Sequence, residues 1–258
     1  VLFREATVDF LENYNGDKPF FAFVSFTSPH DPRMAPKEYE EMFNTEKISI
    51  PENFLPIHPF DNGELIIRDE NLLPFPRTEE AVLGELASYY AMISEVDDNI
   101  GKILDALEKS GKYDNTIIIF ASDNGLAVGQ HGLIGKQNLY DHSIRVPLIF
   151  SGPGIKKGVL TESLVYLHDL FPTIADLVGI ETPKIIHAKS LKPILDNPNE
   201  TVRENVFYLY KNFQRGVRTK DWKLIKYLVD GWQTTQLFDI KNDPLEMNSL
   251  VYLSLIHI

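Results

Sequence analysis

The chain predicts an α/β fold with a largely parallel sheet flanked by helices, followed by a small antiparallel subdomain. Three observations carry this. The runs FFAFVSF, TIIIFA and VPLIF are too continuously apolar for half-exposed strands and suit strands covered on both faces. Stretches with helical spacing alternate with them, which is the pattern of a parallel sheet with crossover helices. From about Asn205 the pattern changes to the short segments NVFYLY, GVRTK, WKLIKY and QLFDI, separated by turn residues, as in an antiparallel sheet.

In chain order, Leu2, Phe3, Ala6, Phe10 and Leu11 stand at helical spacing, and Asn-Gly-Asp then ends the helix before Lys-Pro. FFAFVSF (residues 20–26) is expected as a strand inside the sheet. Its loop carries Ser-Pro-His-Asp-Pro-Arg, with Pro29 and Pro32 expected to hold the backbone extended around His30. Residues 44–78 are rich in Pro, Asn and Asp without periodicity, a long irregular insertion of the kind that contacts ligands at a sheet's active edge. From about Thr78 to Lys109 runs the longest helical pattern, with Leu83, Leu86, Tyr90, Ile93, Val96, Ile100, Leu104 and Leu107 on one stripe and a stop at Gly111. Strands TIIIFA and VPLIF and the helix DLFPTIADLVG follow. The expected domains are 1–204, the α/β domain, and 205–250, the antiparallel subdomain. Residues 251–258 (VYLSLIHI) are expected to be a truncated or artefactual tail.

Composition narrows the functional classes. With 258 residues and 43% hydrophobic content, the chain can bury a substantial core. The net charge of −12 is uneven: residues 1–125 hold 10 basic and 24 acidic side chains, and residues 126–258 hold 15 and 13. An acidic chain of this kind disfavours nucleic acid as a partner. There is no cysteine, which excludes disulfides, thiolate metal sites and cysteine nucleophiles within these residues. No apolar run reaches the roughly 18 residues of a membrane span. Val1 is not an initiator methionine, and the opening reads as mid-protein sequence.

The chemistry concentrates after TIIIFA. Ser-Asp-Asn-Gly delivers the Asp123 carboxylate and the Asn124 amide carbonyl to a strand end, where hard oxygen ligands suit calcium or magnesium better than zinc. Asn-Gly is also an ordinary turn dipeptide, and that reading stands beside the first. Lys136 follows in a glycine-punctuated loop, at a spacing that lets its ammonium return to the same strand end and meet a bound anion. A metal with a lysine suggests an anionic ester as substrate.

Five ordered blocks, KPFFAFVSFTSPHDP, YYAMISEVDDNIGKILDALEKSGKYDNTIIIFASDNG, HGLIGKQNLYDHSIRVPLIFSGPG, LHDLFPTIADLVGI and RGVRTKDWKLIKY with LFDIKNDPLEMN, resemble the C-terminal portion of the sulfatase family. The resemblance implies an alkaline-phosphatase-like fold ending in a four-stranded sheet packed against a helix. It implies that Asp123 and Asn124 are the second pair of metal ligands, usually for Ca2+, with Mg2+ the less favoured ion. Lys136 then binds the sulfate, and His30 contacts it or assists the leaving oxygen. His131 is a further substrate-binding candidate that could equally anchor its loop. Asp31 and Arg33 are either contacts to the alcohol portion or a surface salt bridge.

The family's first Asp-Asp pair and its Cys/Ser-x-Pro-x-Arg motif, whose first residue becomes formylglycine, do not occur here. Ser151-Gly-Pro-Gly-Ile has the spacing, but Ile155 replaces the arginine and rules it out as the nucleophile. The remaining groups read as structural. His142 and Arg145 order the loop before VPLIF, Asp169 caps a helix, Tyr89, Tyr90, Asp97 and Asp98 serve packing and helix polarity, and His58 and His187 have no assigned part. The resemblance implies a sulfuric-ester hydrolase acting on a small sulfated substrate, a saccharide first, with a formylglycine nucleophile upstream of Val1 and a periplasmic or secreted location. The alternatives are a phosphodiesterase or phosphonate hydrolase of the same superfamily, or a non-catalytic binding protein derived from it.

Overall fold

Leu11, the one buried residue of helix α1 (Leu2–Asn13), packs with Ala106 and Leu107, and Val8, Phe20, Ile103 and Ile118 close around them. The computed structural model describes residues 2–251, which form two units. The first comprises residues 2–51 and 77–118, and the second residues 52–76 and 119–251. In the first unit, the short helix α2 (Lys37–Glu40) is tied to the long helix α3 (Glu79–Lys109) by Tyr39 Oη donating to Asp98 at 2.8 Å. Helix α3 starts where the sequence places it, because the Thr78 side chain accepts the N–H of Ala81 at 3.2 Å. It ends at Ser110, and Gly111 takes the left-handed turn beyond it.

Two expectations for this unit need correction. The buried face of α3 carries Val82, Leu86, Ala91, Met92, Ala106 and Leu107, whereas Tyr90 and Ile93 of the expected stripe are exposed. Small residues at 91 and 106 allow close helix packing, which a stripe drawn through the largest side chains misses. Residues 20–26 do not form a strand: Phe21 is 72% and Phe23 84% exposed, while Phe20, Val24 and Phe26 are half-buried. A strand is defined by its ladder, and this extended segment has no ladder partner among the described residues.

Strand β1 (Ile118–Ala121), which begins on the last residue of the first unit, pairs with β2 (Leu148–Ser151), and the short helix α4 (Asp141–Ile144) lies between them in sequence. Helices α5 (Leu170–Leu177) and α6 (Lys192–Asp196) follow. The tail is the expected antiparallel sheet in simple meander order: β3 (Val206–Tyr210), β4 (Gln214–Arg218), β5 (Trp222–Val229) and β6 (Trp232–Asp239). Both edges are covered. The Tyr166 hydroxyl takes the Phe207 N–H at 2.5 Å on β3, and on β6 Leu237 exchanges bonds with Ser249 and Leu250. The inner face of the sheet contributes Ile225, Tyr227 and Phe238 to a core shared with Ala127, Leu133, Leu139 and Tyr140. Residues 252–258, most of the expected tail segment, lie outside the described residues.

Asp169 is fully buried and does more than cap. Its carboxylate accepts the N–H groups of Tyr166 and Lys189 and pairs with Arg203 at 2.5 and 2.8 Å. Lys223, on β5, is 0% exposed, and its ammonium meets Asp141 at 2.6 Å and Glu246 at 2.5 Å. Arg218 completes the group on Asp141. Burial works to raise the Asp141 carboxyl, but the two cations outweigh it and hold it below the usual range, while burial raises Glu246. Lys223→Met should therefore cost about 3–5 kcal/mol in urea denaturation, because it leaves the buried Glu246 carboxylate without its cation and Asp141 with Arg218 alone. A loss under about 1 kcal/mol would contradict the pairing.

Candidate functional site

The turn after residues 20–26 carries His30. It is a closed turn and not the extended backbone expected, since the His30 N–H reaches back to the Thr27 carbonyl at 3.0 Å; Pro29 and Pro32 both follow cis peptide bonds. The His30 ring is half-exposed, and its Nδ1 faces the Asp31 carbonyl at 3.0 Å and the Asp31 carboxylate at 3.1 Å. A ring held at Nδ1 presents Nε2 outward. Arg33 is not a surface residue. Its guanidinium is buried against Glu85 and lies 6.0 Å from the Tyr89 ring centre.

In the second unit the chain leaves β1 and folds back on itself. The N–H of Ala127 donates to Gly135 at 3.1 Å and that of Gly129 to Leu133 at 2.8 Å, so Gly135 and Lys136 return beside residues 126–127, just past Asn124. The Gly125 N–H donates to Ser143 at 2.8 Å, and the His142 carbonyl oxygen occupies the space a Cβ at 125 would need. Asp123 is exposed and has no hydrogen-bond or ion-pair partner among the described residues. The Asn124 amide donates through Nδ2 to the Gly125 carbonyl at 2.8 Å, which leaves its Oδ1 uncommitted. Two free oxygens of this kind fit a hard cation such as calcium. Two oxygens do not make a coordination shell by themselves, and among the described residues no group of three or more acidic, histidine or cysteine side chains could hold a metal.

The Lys136 ammonium makes no ion pair among the described residues, although its backbone is held on both sides. Gln137 Oε1 accepts the Lys136 N–H at 3.0 Å, and the Lys136 carbonyl accepts from Asn138 at 2.9 Å. The irregular 44–78 insertion supplies the supports. Glu70 accepts the N–H groups of Ile134 and Gly135 at 3.0 and 2.9 Å, and Asp69 accepts from Gln137 Nε2 at 2.7 Å.

His131 is 6% exposed. Its ring stacks on Tyr140 at 4.0 Å with 8° between planes, and its Nε2 lies 3.2 Å from Asn53 Nδ2. Its left-handed φ of 53° is secured by its N–H on the Asn53 carbonyl at 2.8 Å, and Gly132 turns at φ +77° where the backbone of residues 57–58 leaves no room for a side chain. His58, which the sequence left without a part, is 3% exposed and joins the Tyr140 hydroxyl at 3.1 Å to the Phe60 carbonyl at 2.6 Å. Tyr140 also donates to Gln236 at 2.9 Å. His142 completes the cluster with its Nε2 buried. Sequence reasoning missed Asn53, His58, Glu70 and Tyr140 because their partners lie 64 to 96 positions away.

The fold and this fold-back loop define a mixed α/β protein of the alkaline-phosphatase-like class. The chain belongs to the sulfatase family: the model described as "Sulfatase" matches residues 2–180, and that described as "N-sulphoglucosamine sulphohydrolase, C-terminal" matches residues 129–255. An N-acetylglucosamine-6-O-sulfatase of Bacteroides thetaiotaomicron is 37% identical over 64% of this chain and 32% of its own length. An arylsulfatase of Clostridium perfringens is 32% identical over 95% of this chain and 52% of its own length. This chain thus spans about half or less of the length of such relatives. Among solved structures, a protein in complex with its substrate D-glucosamine-2-N,6-O-disulfate superimposes with a TM-score of 0.82 at 27% identity, over 96% of this chain and 64% of that one. The phosphonate monoester hydrolase of Agrobacterium radiobacter has a TM-score of 0.82 at 25% identity, over 98% and 57%. No helix among the described residues is long and apolar enough to cross a membrane.

Burial lowers the pKa of His131 to about 4, that of His142 well below the usual imidazole value, and that of His58 in the same direction. These rings are neutral when folded and take up protons near pH 6.5 when unfolded. Their contribution is therefore complete above about pH 6.5 and is lost as pH falls toward 4, at up to roughly 1.4 kcal/mol per pH unit for each ring. Urea midpoints should drop clearly between pH 7 and pH 5; a flat profile would contradict the buried cluster.

Proposed function

We propose that this chain contributes the sulfate-binding part of a sulfuric-ester hydrolase whose substrate is a sulfated saccharide. The observation that supports the reading is Lys136, an uncommitted ammonium on a loop fixed by buried hydrogen bonds, whose preceding residue Gly135 pairs with Ala127 a few positions after Asp123 and Asn124. Such a cation favours an oxyanion that gains charge in the transition state. The names of the relatives, a glucosamine 6-O-sulfatase and a protein holding a glucosamine disulfate, support the sugar as the alcohol portion.

The Asp123 carboxylate and Asn124 carbonyl would hold Ca2+ in preference to Mg2+, with further ligands from outside this pair. The ion would supply positive charge against the sulfate oxygens. Lys136 would donate to a non-bridging sulfate oxygen and hold the group in place. His30, whose Nδ1 faces Asp31 and whose Nε2 is left free to donate, is assigned to the departing alcohol oxygen by the family resemblance alone. Asp31 serves chiefly as the partner of that ring, while Arg33, engaged with Glu85, shapes the loop beneath it. His131 acts through the loop that its stacked ring anchors. The nucleophile is assigned to a formylglycine carried by sequence other than residues 1–258, which contain no Cys/Ser-x-Pro-x-Arg. The superposition on a phosphonate monoester hydrolase supports a second reading in which the same cation binds a phosphonate ester.

In a full-length protein carrying this chain, Lys136→Ala should lower turnover of an aryl sulfate by about 100-fold or more, and His142→Ala by far less. Equal, small losses would remove Lys136 from the site. Asp123→Ala should raise the calcium concentration needed for half-maximal turnover at least tenfold; an unchanged calcium response would place the metal elsewhere.

A further inference from the structure

A cationic side chain can act on a transferring group only if its backbone is fixed, and the fixing groups must not neutralise it. The loop around Lys136 meets this requirement through a segment far away in sequence. Glu70 is almost fully buried and divides its two carboxylate oxygens between successive N–H groups, Oε2 taking Ile134 at 3.0 Å and Oε1 taking Gly135 at 2.9 Å. These are the two residues immediately before Lys136. On the other side, Gln137 is held by Asp69 at 2.7 Å and turns its own Oε1 onto the Lys136 N–H at 3.0 Å. Neighbouring residues of one short 3-10 turn, Glu70–Leu72 with Asp69 before it, therefore grip Lys136 from both sides. Gly135 packs so closely against Glu70 Oε1 and Gln137 Oε1, at 2.8 and 2.7 Å from a would-be Cβ, that a side chain there would force the grip open.

We infer that Glu70, assisted by Asp69 through Gln137, is the positioning residue for Lys136, setting where the ammonium meets the anion without contacting the anion itself. Charge-assisted bonds from a buried carboxylate to backbone N–H groups are strong and directional, so losing them displaces the loop and not merely one atom. The inference rests on the sulfatase reading for the identity of the anion. The geometry of the grip does not depend on it.

The test is a double-mutant cycle on aryl sulfate hydrolysis in a full-length protein carrying this chain, using Glu70→Gln, Gln137→Ala and Lys136→Ala. With Lys136 present, Glu70→Gln should lower kcat/KM by about 10–100-fold and Gln137→Ala by a smaller factor. In the Lys136→Ala background, both changes should cost less than about threefold, because the group they position is gone. Losses that multiply independently of Lys136 would show general destabilisation and overturn the inference. If Glu70→Gln does not fold, Gln137→Ala, which buries no charge, carries the same criterion. A Lys136→Ala protein with full activity would instead overturn the underlying reading, so the two failures are distinguishable.

Discussion

The second unit depends on one constraint: the backbone between β1 and β2 must satisfy its polar groups inside the protein while leaving the Lys136 ammonium free. A loop of this length cannot bury N–H and carbonyl groups without partners. It finds them in three places. It pairs with itself at 127–135 and 129–133, it reaches Ser143 from Gly125, and it takes the Glu70 carboxylate at 134–135. None of these uses the lysine side chain. The result is a cation held at a defined place in a chain whose net charge is −12, where a loose lysine would readily find a carboxylate.

A second layer holds the far end of the same loop. Tyr140 sits between His131 and His58 and reaches Gln236, while the next residue, Asp141, is gripped by Lys223 and Arg218. The antiparallel sheet is therefore a support for the loop as well as a terminal subdomain. Its inner residues Ile225, Tyr227 and Phe238 share one core with Leu133 and Leu139. Buried ionic and imidazole groups cost desolvation, and their return is a single arrangement of the loop.

The elements set by local chemistry were legible in the sequence. The Thr78 cap and Gly111 stop bound α3, and the tail segments gave the four-stranded antiparallel sheet. What the sequence did not reveal depends on contacts between distant positions. Lys223 and Glu70 have the composition of surface residues and are buried only because partners arrive from distant positions. His58 lies in a proline-containing loop with no local sign that it faces Tyr140. FFAFVSF has every strand propensity, yet propensity does not make a ladder, and Phe21 and Phe23 stay exposed without one.

Amide hydrogen exchange at Gly125, Gly129, Ile134 and Gly135 tests the central claim most directly, because each N–H is assigned one acceptor in the fold-back loop. The account predicts that all four exchange slowly and together, through the same large opening that exposes the core. Rapid, independent exchange at Ile134 and Gly135 would contradict it, for Lys136 would then sit on a mobile loop.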